Sequence, residues 1–278
     1  MDRSDRIKRD HYSDLWCLSN LEPLTQTETS NLYLANFQGK KSVLKIYSEK
    51  GCQFEAEGPD FLQACDGQSA IKVYHYDPYA CLIEYVDGPE LKTLVDSDRD
   101  EEATKILGTI VKNIHHKMKK VSKEEGQNFF IDYVKPLTDE AHRNDAKDII
   151  KTTASYAQQI LEENGDYQYL HGDVHHENIM LSRERGWLLI DPKNIVGPKE
   201  YDLANCFINP LDYHLTRDVK VIKRRVDQLS KITGYDEKKI LMIACIRATL
   251  SSTWTKNNSG QHVENRLKTA EIISETFL

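Results

Sequence analysis

Apolar and polar residues alternate with a period of two in the first part of the chain, which is typical of strands half buried in a sheet. Such stretches lie at residues 24–28, 31–37, 42–47, 71–76 and 79–86. The turn signal Gln38-Gly39-Lys40 separates the second stretch from the third. These short, closely spaced segments predict an antiparallel meander.

The period changes to 3.6 beyond a breaker sequence at residues 87–89. Apolar positions then predict a helix at about 99–119 and further helices beyond Asp218. The two patterns together predict an α+β chain with two lobes. The first, at 1–86, has a small antiparallel sheet and one helix, and the second, at 87–278, is larger and mainly helical.

The densest group of polar residues lies at 170–180 and reads LHGDVHHENIM. Asp173 follows a glycine there, Asn178 comes five residues later, and Asp191 ends the next apolar strand. A hairpin of two short strands would bring Asn178 and Asp191 to the same end of a sheet. In ATP-dependent phosphoryl transfer, one Asp receives a hydroxyl proton while an Asn and a second Asp hold Mg²⁺. The pattern predicts Asp173 as catalytic base and Asn178 and Asp191 as magnesium ligands.

Lys45 lies inside an apolar predicted strand, where a charge is costly unless it has a partner. A lysine at this place in a kinase-like site binds the ATP phosphates and pairs with a Glu on the following helix. Glu55 shares a helical face with Leu62, which favours it over Glu57 as that partner.

Two further nucleotide contacts are predicted less directly. The loop at 27–31 lies where glycines would cover the phosphates but contains none, so its hydroxyls, Ser30 among them, either cradle phosphate or form an ordinary polar turn. The backbone groups of Glu84 and Val86, near the lobe boundary, either bind the adenine edge or belong to a plain linker.

A zinc site is a rival interpretation of the same loop. His171 and His175 have i,i+4 spacing, His176 adds a third imidazole, and Asp173 or Glu177 could act as base. That spacing needs a helix, and the glycine and the apolar strand beside His171 argue against one.

Composition narrows the class of protein. The chain is 39% hydrophobic and 29% charged, with a net charge of −7, which indicates a soluble globular protein and argues against nucleic acid as partner. A cationic acceptor would suit this charge. No apolar run approaches the roughly 18 residues that span a bilayer, and the N-terminus lacks the apolar core of a signal peptide. We therefore expect a cytoplasmic protein that does not bind membranes.

Three segments together resemble a known family. Residues 170–180, 187–193 (WLLIDPK) and 201–205 (YDLAN) closely resemble the streptomycin 6-phosphotransferase and hydroxyurea phosphotransferase branch of the aminoglycoside phosphotransferases. The resemblance extends to 54–62 and 82–85, and more weakly to 251–254.

This resemblance implies a protein-kinase-like fold that uses ATP and Mg²⁺. It implies the same roles for Asp173, Asn178 and Asp191, and it places Lys45 on the ATP phosphates with Glu55 as its partner. It also makes Asp202 similar to the helix Asp that supports the catalytic loop.

The resulting prediction is a small-molecule kinase that transfers the γ-phosphate to a hydroxyl of an acceptor such as streptomycin. Asp173, Glu177 and Trp254 are the candidate acceptor contacts. Three alternatives stay open: a kinase of another metabolite, a nucleotide-binding protein without turnover, and a metal-dependent hydrolase.

Overall fold

A computed structural model describes residues 3–122, 130–163, 167–211, 213–254 and 260–278. Its strands are β1 (Ser19–Gln26), β2 (Ser30–Phe37), β3 (Lys40–Tyr47), β4 (Val73–Asp77), β5 (Ala80–Glu84), β6 (Lys120–Val121), β7 (Tyr167–Leu170), β8 (Ile179–Ser182), β9 (Gly186–Leu189) and β10 (Ile195–Pro198). Its α-helices are α1 (Arg3–Leu15), α2 (Glu49–Phe54), α3 (Gly58–Cys65), α4 (Lys92–Asp96), α5 (Asp100–His115), α6 (Phe130–Ala141), α7 (Asp148–Glu162), α8 (Tyr201–Ala204), α9 (Val219–Thr233), α10 (Glu237–Trp254) and α11 (Gly260–Phe277).

The first lobe contains a five-stranded antiparallel sheet in the order β1-β2-β3-β5-β4. Lys45 lies on the central strand β3, in register with Leu32 on one side and Cys81 on the other. Because successive side chains of a strand point to opposite faces, Lys45 faces away from Leu44 and Ile46. The predicted antiparallel sheet is confirmed, although β5 pairs between β3 and β4.

The face that carries Leu44 and Ile46 is covered by α1, a helix that the sequence pattern did not predict. Tyr12 and Trp16 pack there in one buried cluster with these two strand residues. The hydroxyl of Tyr12 also donates a hydrogen bond of 3.0 Å to Asp77. Since this face is occupied, the opposite face, with Lys45, is the one left to form a site.

The one helix predicted in this lobe is divided into α2 and α3. Glu55 follows the last residue of α2 in a non-helical conformation, and α3 starts at Gly58 with Pro59 in its first turn. A Cβ atom on Gly58 would lie 2.3 Å from the carbonyl oxygen of Pro192. Glycine therefore allows the start of α3 to approach the segment that follows Asp191.

The hairpin of β8 and β9 joins the two lobes. On one edge, Leu91 N–H donates to Ile179 O at 2.7 Å, in the segment that leaves the first lobe. On the other edge, Ile71 N–H donates to Leu189 O at 3.0 Å. The hairpin that positions Asn178 and Asp191 is thus bonded to segments on both sides of the predicted boundary at 86–87.

The second lobe is mainly helical, as predicted, and is organised around α10. Every residue of α10 from Ile240 to Ser252 is buried, and α6, α7, α8 and α11 pack against it. None of the helices in the described ranges is long and apolar enough to cross a membrane. The polar loop predicted at 256–261 falls largely outside the described residues.

Candidate active site

The loop after β7 is held by a buried carboxylate. Asp202 in α8 accepts hydrogen bonds from the N–H groups of His171 (3.0 Å) and Gly172 (2.7 Å). Its Oδ2 also lies 2.9 Å from Nε2 of His115. Asp202 therefore holds the loop from the helical side, the role that the family resemblance implied.

His171 fixes the other side of the same loop. Its Nδ1 accepts a hydrogen bond from the N–H of Asp173 at 3.2 Å, so Nε2 carries the hydrogen and donates to Ile190 O at 2.8 Å. Burial lowers the pKa of His171, which favours this neutral form. Both ring nitrogens of His171 thus take part in hydrogen bonds within the protein.

Within the described ranges, no three His, Cys, Asp or Glu side chains are grouped to hold a metal ion, so the geometry does not support the zinc interpretation.

Asp173 has polar partners on each carboxylate oxygen. Its Oδ2 lies 2.9 Å from Nζ of Lys193. Its Oδ1 accepts a hydrogen bond of 2.9 Å from Nδ2 of Asn205 and lies 3.4 Å from Nη2 of Arg247. Burial alone would raise the pKa of this carboxyl group, but the charges of Lys193 and Arg247 outweigh burial and hold the pKa well below its usual range. Asp173 is therefore ionised at neutral pH.

The two predicted magnesium ligands, Asn178 and Asp191, each have a side-chain oxygen that is available to a metal ion. Asn178 donates a hydrogen bond of 2.9 Å from Nδ2 to the carbonyl oxygen of Asp173. Because a carbonyl can only accept, this contact turns Oδ1 of Asn178 the other way. Asp191 has φ of 57° and a side chain that is 44% exposed, so its carboxylate is reachable from solvent.

Lys45 lies between two carboxylates. Its Nζ is 2.7 Å from Oε2 of Glu55 and donates a short hydrogen bond to Asp191. The approach to Glu55 is off the hydrogen-bond direction, which makes that contact an ion pair. Burial alone would lower the pKa of Lys45, and the charges of Asp191 and Glu55 reverse this effect and raise it. The predicted Lys45–Glu55 contact is present, and its role toward nucleotide stays a prediction.

A cleft of about 620 Å³ opens beside these groups, between the β1–β2 turn, α2 and α6. Thr29, Lys50, Glu55, Asp132 and Lys193 are among the residues that line it.

The predicted phosphate contact Ser30 does not line this cleft. Ser30 is buried, and its hydroxyl lies 3.2 Å from that of Thr27 inside the turn. The turn residue that reaches the cleft is Thr29. A larger cavity of about 1170 Å³ has Glu57, the alternative partner of Lys45, in its wall and contains none of the predicted site residues.

Glu84 uses its side chain within the fold. Its carboxylate pairs with Arg185 and accepts a hydrogen bond of 2.9 Å from the N–H of Lys72, and its own N–H donates to Lys72 O at 2.9 Å. An adenine contact would therefore rest on its carbonyl oxygen. Val86 is buried in the large core cluster of the chain.

The predicted acceptor contacts differ in position. Glu177 lies in the loop that carries Asp173, with Oε2 3.3 Å from Nδ1 of His175, and the contact with His175 lowers the pKa of Glu177. Trp254 is the last residue of α10, and its side chain lies outside the described part of the chain.

Three partners of Asp173 were missed as site residues. Arg247 is a lone charge in the apolar stretch of α10, and that position was a usable signal because a buried charge needs a partner. Lys193 and Asn205 lie inside the segments that carry the family resemblance, but neither spacing nor period distinguishes them from neighbouring polar residues.

The chain is similar to known kinases along most of its length. A family model described as "Aminoglycoside/hydroxyurea antibiotic resistance kinase" matches residues 15–259. The streptomycin 3''-kinase of Klebsiella pneumoniae is 29% identical over 205 residues, which cover 72% of this chain and 75% of that protein. The streptomycin 6-kinase of Streptomyces griseus is 24% identical over 202 residues, which cover 69% of this chain and 64% of that protein.

Solved structures show the same fold at low sequence identity. Choline kinase LicA from Streptococcus pneumoniae has a TM-score of 0.65 and 16% identity, over 99% of this chain and 100% of that one. A thermostable mutant of aminoglycoside phosphotransferase APH(4)-Ia has a TM-score of 0.64 and 11% identity, over 97% and 98%. The family match covers most of the chain, so this protein belongs to the aminoglycoside/hydroxyurea antibiotic resistance kinases and is a small-molecule phosphotransferase.

Proposed function

We propose that this protein transfers the γ-phosphate of ATP to a hydroxyl of an aminoglycoside-type acceptor, with Mg²⁺ at the phosphates. The observation that carries the proposal is the ionised carboxylate of Asp173 in a loop whose Asn178 bonds both the Asp173 carbonyl and Ile190, the residue before Asp191, with Lys45 next to Asp191. Relatives named for the phosphorylation of streptomycin support the acceptor class.

Lys45 would bind the α- and β-phosphates of ATP, and Glu55 would keep its ammonium group in position. Thr29, rather than Ser30, would be the turn residue nearest the phosphates, and the backbone of Glu84 and Val86 would contact adenine. Solved structures of this fold with ADP and AMP-PNP support nucleotide use.

The donor set fits magnesium. Mg²⁺ prefers oxygen ligands, and Asn178 would supply its amide oxygen while Asp191 supplies its carboxylate. Two carboxylates against one ammonium leave the Lys45–Glu55–Asp191 group with an excess negative charge, which suits a cation. A magnesium ion held by Asn178 and Asp191 would supply charge neutralisation at the phosphate oxygens.

Asp173 would orient the acceptor and receive its proton. The hydroxyl oxygen forms a bond to the γ-phosphorus, the bond from that phosphorus to the β,γ-bridging oxygen breaks, and ADP leaves. The hydroxyl proton goes to the Asp173 carboxylate. A carboxylate with a lowered pKa is a weak base, which suits a loose transition state in which the proton moves late.

A cationic acceptor would find carboxylates that can pair with its amines near the site. The whole chain has a net charge of −7, Asp132 lines the cleft, and Glu177 lies in the loop that carries Asp173. These carboxylates are the proposed partners of acceptor amines, and stacking by Trp254 stays a prediction.

The acceptor can be identified by screening ADP release with streptomycin, other aminoglycosides, hydroxyurea and sugars, followed by mass spectrometry and ³¹P NMR of the product. We expect a phosphorylated aminoglycoside. The two streptomycin relatives are named for different positions, so the NMR assignment decides the hydroxyl. ADP release with only free phosphate as product would instead favour a hydrolase.

The substitution Asp173→Asn tests the mechanism. Loss of the proton acceptor is expected to lower kcat by about 10²- to 10⁴-fold, with nucleotide binding retained. Asp139→Asn, at an exposed position of α6, is the matched control. Unchanged turnover in Asp173→Asn would remove Asp173 from this role.

A further inference from the structure

Lys193 occupies the oxygen of Asp173 that the acceptor needs. Asn205 and Arg247 already bind Oδ1 of Asp173, which leaves Oδ2 as the oxygen that an acceptor hydroxyl can reach. Nζ of Lys193 lies 2.9 Å from that Oδ2. An acceptor hydroxyl must therefore compete with an ammonium group for Asp173.

The two cations on Asp173 differ in their freedom to move. The side chain of Arg247 is 9% exposed and donates a hydrogen bond of 2.7 Å from Nε to Asn205. The side chain of Lys193 is 29% exposed and lines the cleft. The backbone of Lys193 is fixed, because its N–H donates to His171 O at 2.8 Å. Lys193 can thus exchange partners by side-chain rotation alone, whereas Arg247 is held.

The cleft offers Lys193 a second partner when a triphosphate is bound. Lys193, Thr29 and Glu55 line the same cleft, and Glu55 pairs with Lys45, the proposed ligand of the inner phosphates. A γ-phosphate that extends from Lys45 toward Asp173 would bring negative charge to the side of Lys193. ADP has no γ-phosphate and would bring less negative charge near Lys193.

We propose that Lys193 is a catalytic residue that exchanges its contact with Asp173 for one with the γ-phosphate when ATP binds, which frees Asp173 for the acceptor. This inference rests on the proposed function. The ammonium group keeps its protons throughout, and the hydroxyl proton still goes to Asp173. The cation would stabilise the charge on the phosphoryl group as it transfers.

Nucleotide binding tests this role without any acceptor. Calorimetry in the presence of Mg²⁺ would measure the affinity for AMP-PNP and for ADP. The proteins compared are the wild-type enzyme, Lys193→Met, Lys193→Arg and the control Lys135→Met, whose altered residue is exposed on α6. We expect Lys193→Met to weaken AMP-PNP binding by about tenfold, while ADP binding stays the same. Retained ADP binding also shows that the variant is folded. Lys193→Arg should recover most of the loss.

Kinetics supply the second measurement. Lys193→Met should lower kcat by about 10²-fold with KM for the acceptor little changed, since the lost contact strengthens in the transition state. An equal loss of affinity for AMP-PNP and ADP, or an unchanged kcat, would overturn the proposal. The proposed function fails separately, if the wild-type enzyme phosphorylates none of the acceptors or Asp173→Asn keeps full turnover.

Discussion

Two charge centres each contribute one residue to the wall of the cleft, Glu55 in one and Lys193 in the other. The signs of the charges in one centre are the reverse of those in the other. In the Lys45 centre, one ammonium group lies between the carboxylates of Glu55 and Asp191. In the Asp173 centre, one carboxylate lies between the cations of Lys193 and Arg247. The first has one negative charge in excess and the second has one positive charge in excess. Their net charges are therefore opposite in sign, and they would favour opposite ligands: the proposed Mg²⁺ at the first and the proposed transferring phosphoryl group at the second.

The two centres also differ in which parts of the chain they join. Lys45 and Glu55 come from the first lobe and Asp191 from the second, so the Lys45 centre forms only when the lobes are together. In the described ranges, the partners of the Asp173 carboxylate are Lys193, Asn205 and Arg247, which come from the second lobe. The Asp173 centre is preorganised within one lobe, and the Lys45 centre reports on how the lobes meet.

Removal of the central charge of the first centre should have the largest effect. In Lys45→Met, the carboxylates of Glu55 and Asp191 lose their shared cation and the proposed phosphate contact disappears. We expect kcat/KM for ATP to fall by about 10²- to 10³-fold, measured by ADP release at saturating acceptor.

Lys40→Met is the matched control, because Lys40 is exposed on the same strand. The control should keep wild-type kinetics. If Lys45→Met changed kcat/KM no more than Lys40→Met, the Lys45 centre would have no part in nucleotide use.

The first centre was predictable from sequence, and the second was only half predictable. A lysine in an apolar strand and a carboxylate at the end of another are local signals, so Lys45 and Asp191 could be selected without coordinates. Arg247 lies 74 residues beyond Asp173, and only the packing of α10 against α8 brings it to the site. No local pattern encodes such a contact between distant helices.

The predicted contact between Glu55 and Lys45 is present, but the helical pattern that predicts it describes the local structure only in part. The prediction assumed one helix that places Glu55 and Leu62 on one face, but the chain leaves the helical conformation at Glu55 and resumes it at Gly58. The close approach of Gly58 to Pro192 O positions this link beside Lys45. This approach depends on tertiary packing between distant parts of the chain, which helical periodicity cannot predict.

Loss of the fixed cation of the second centre should have an intermediate effect. Arg247 holds Asn205, and Asn205 donates to Oδ1 of Asp173. Arg247→Met should therefore misplace the carboxylate and lower kcat by about 10- to 100-fold, with KM for ATP unchanged. Steady-state kinetics with varied ATP separate the two parameters.

Arg247→Lys and Lys238→Met, the latter exposed on the same helix, complete this comparison. Arg247→Lys should retain more activity than Arg247→Met because it keeps the charge, and Lys238→Met should match wild type. If Arg247→Met raised KM for ATP without changing kcat, Arg247 would act in nucleotide binding and not in positioning Asp173.

The smallest effect on activity is expected at Glu84, which belongs to neither centre and lies on β5, the strand that pairs with the strand of Lys45. Its carboxylate pairs with Arg185 and accepts from Lys72 N–H, so an adenine contact would use only its backbone. In Glu84→Gln, KM for ATP should change by less than about twofold, while weakening of the charged pair lowers the unfolding free energy by about 1–3 kcal/mol. ADP-release kinetics and urea denaturation measure the two quantities. A large rise in KM with unchanged stability would instead place the Glu84 side chain on the nucleotide, and the Lys45 centre would then extend to the lobe boundary.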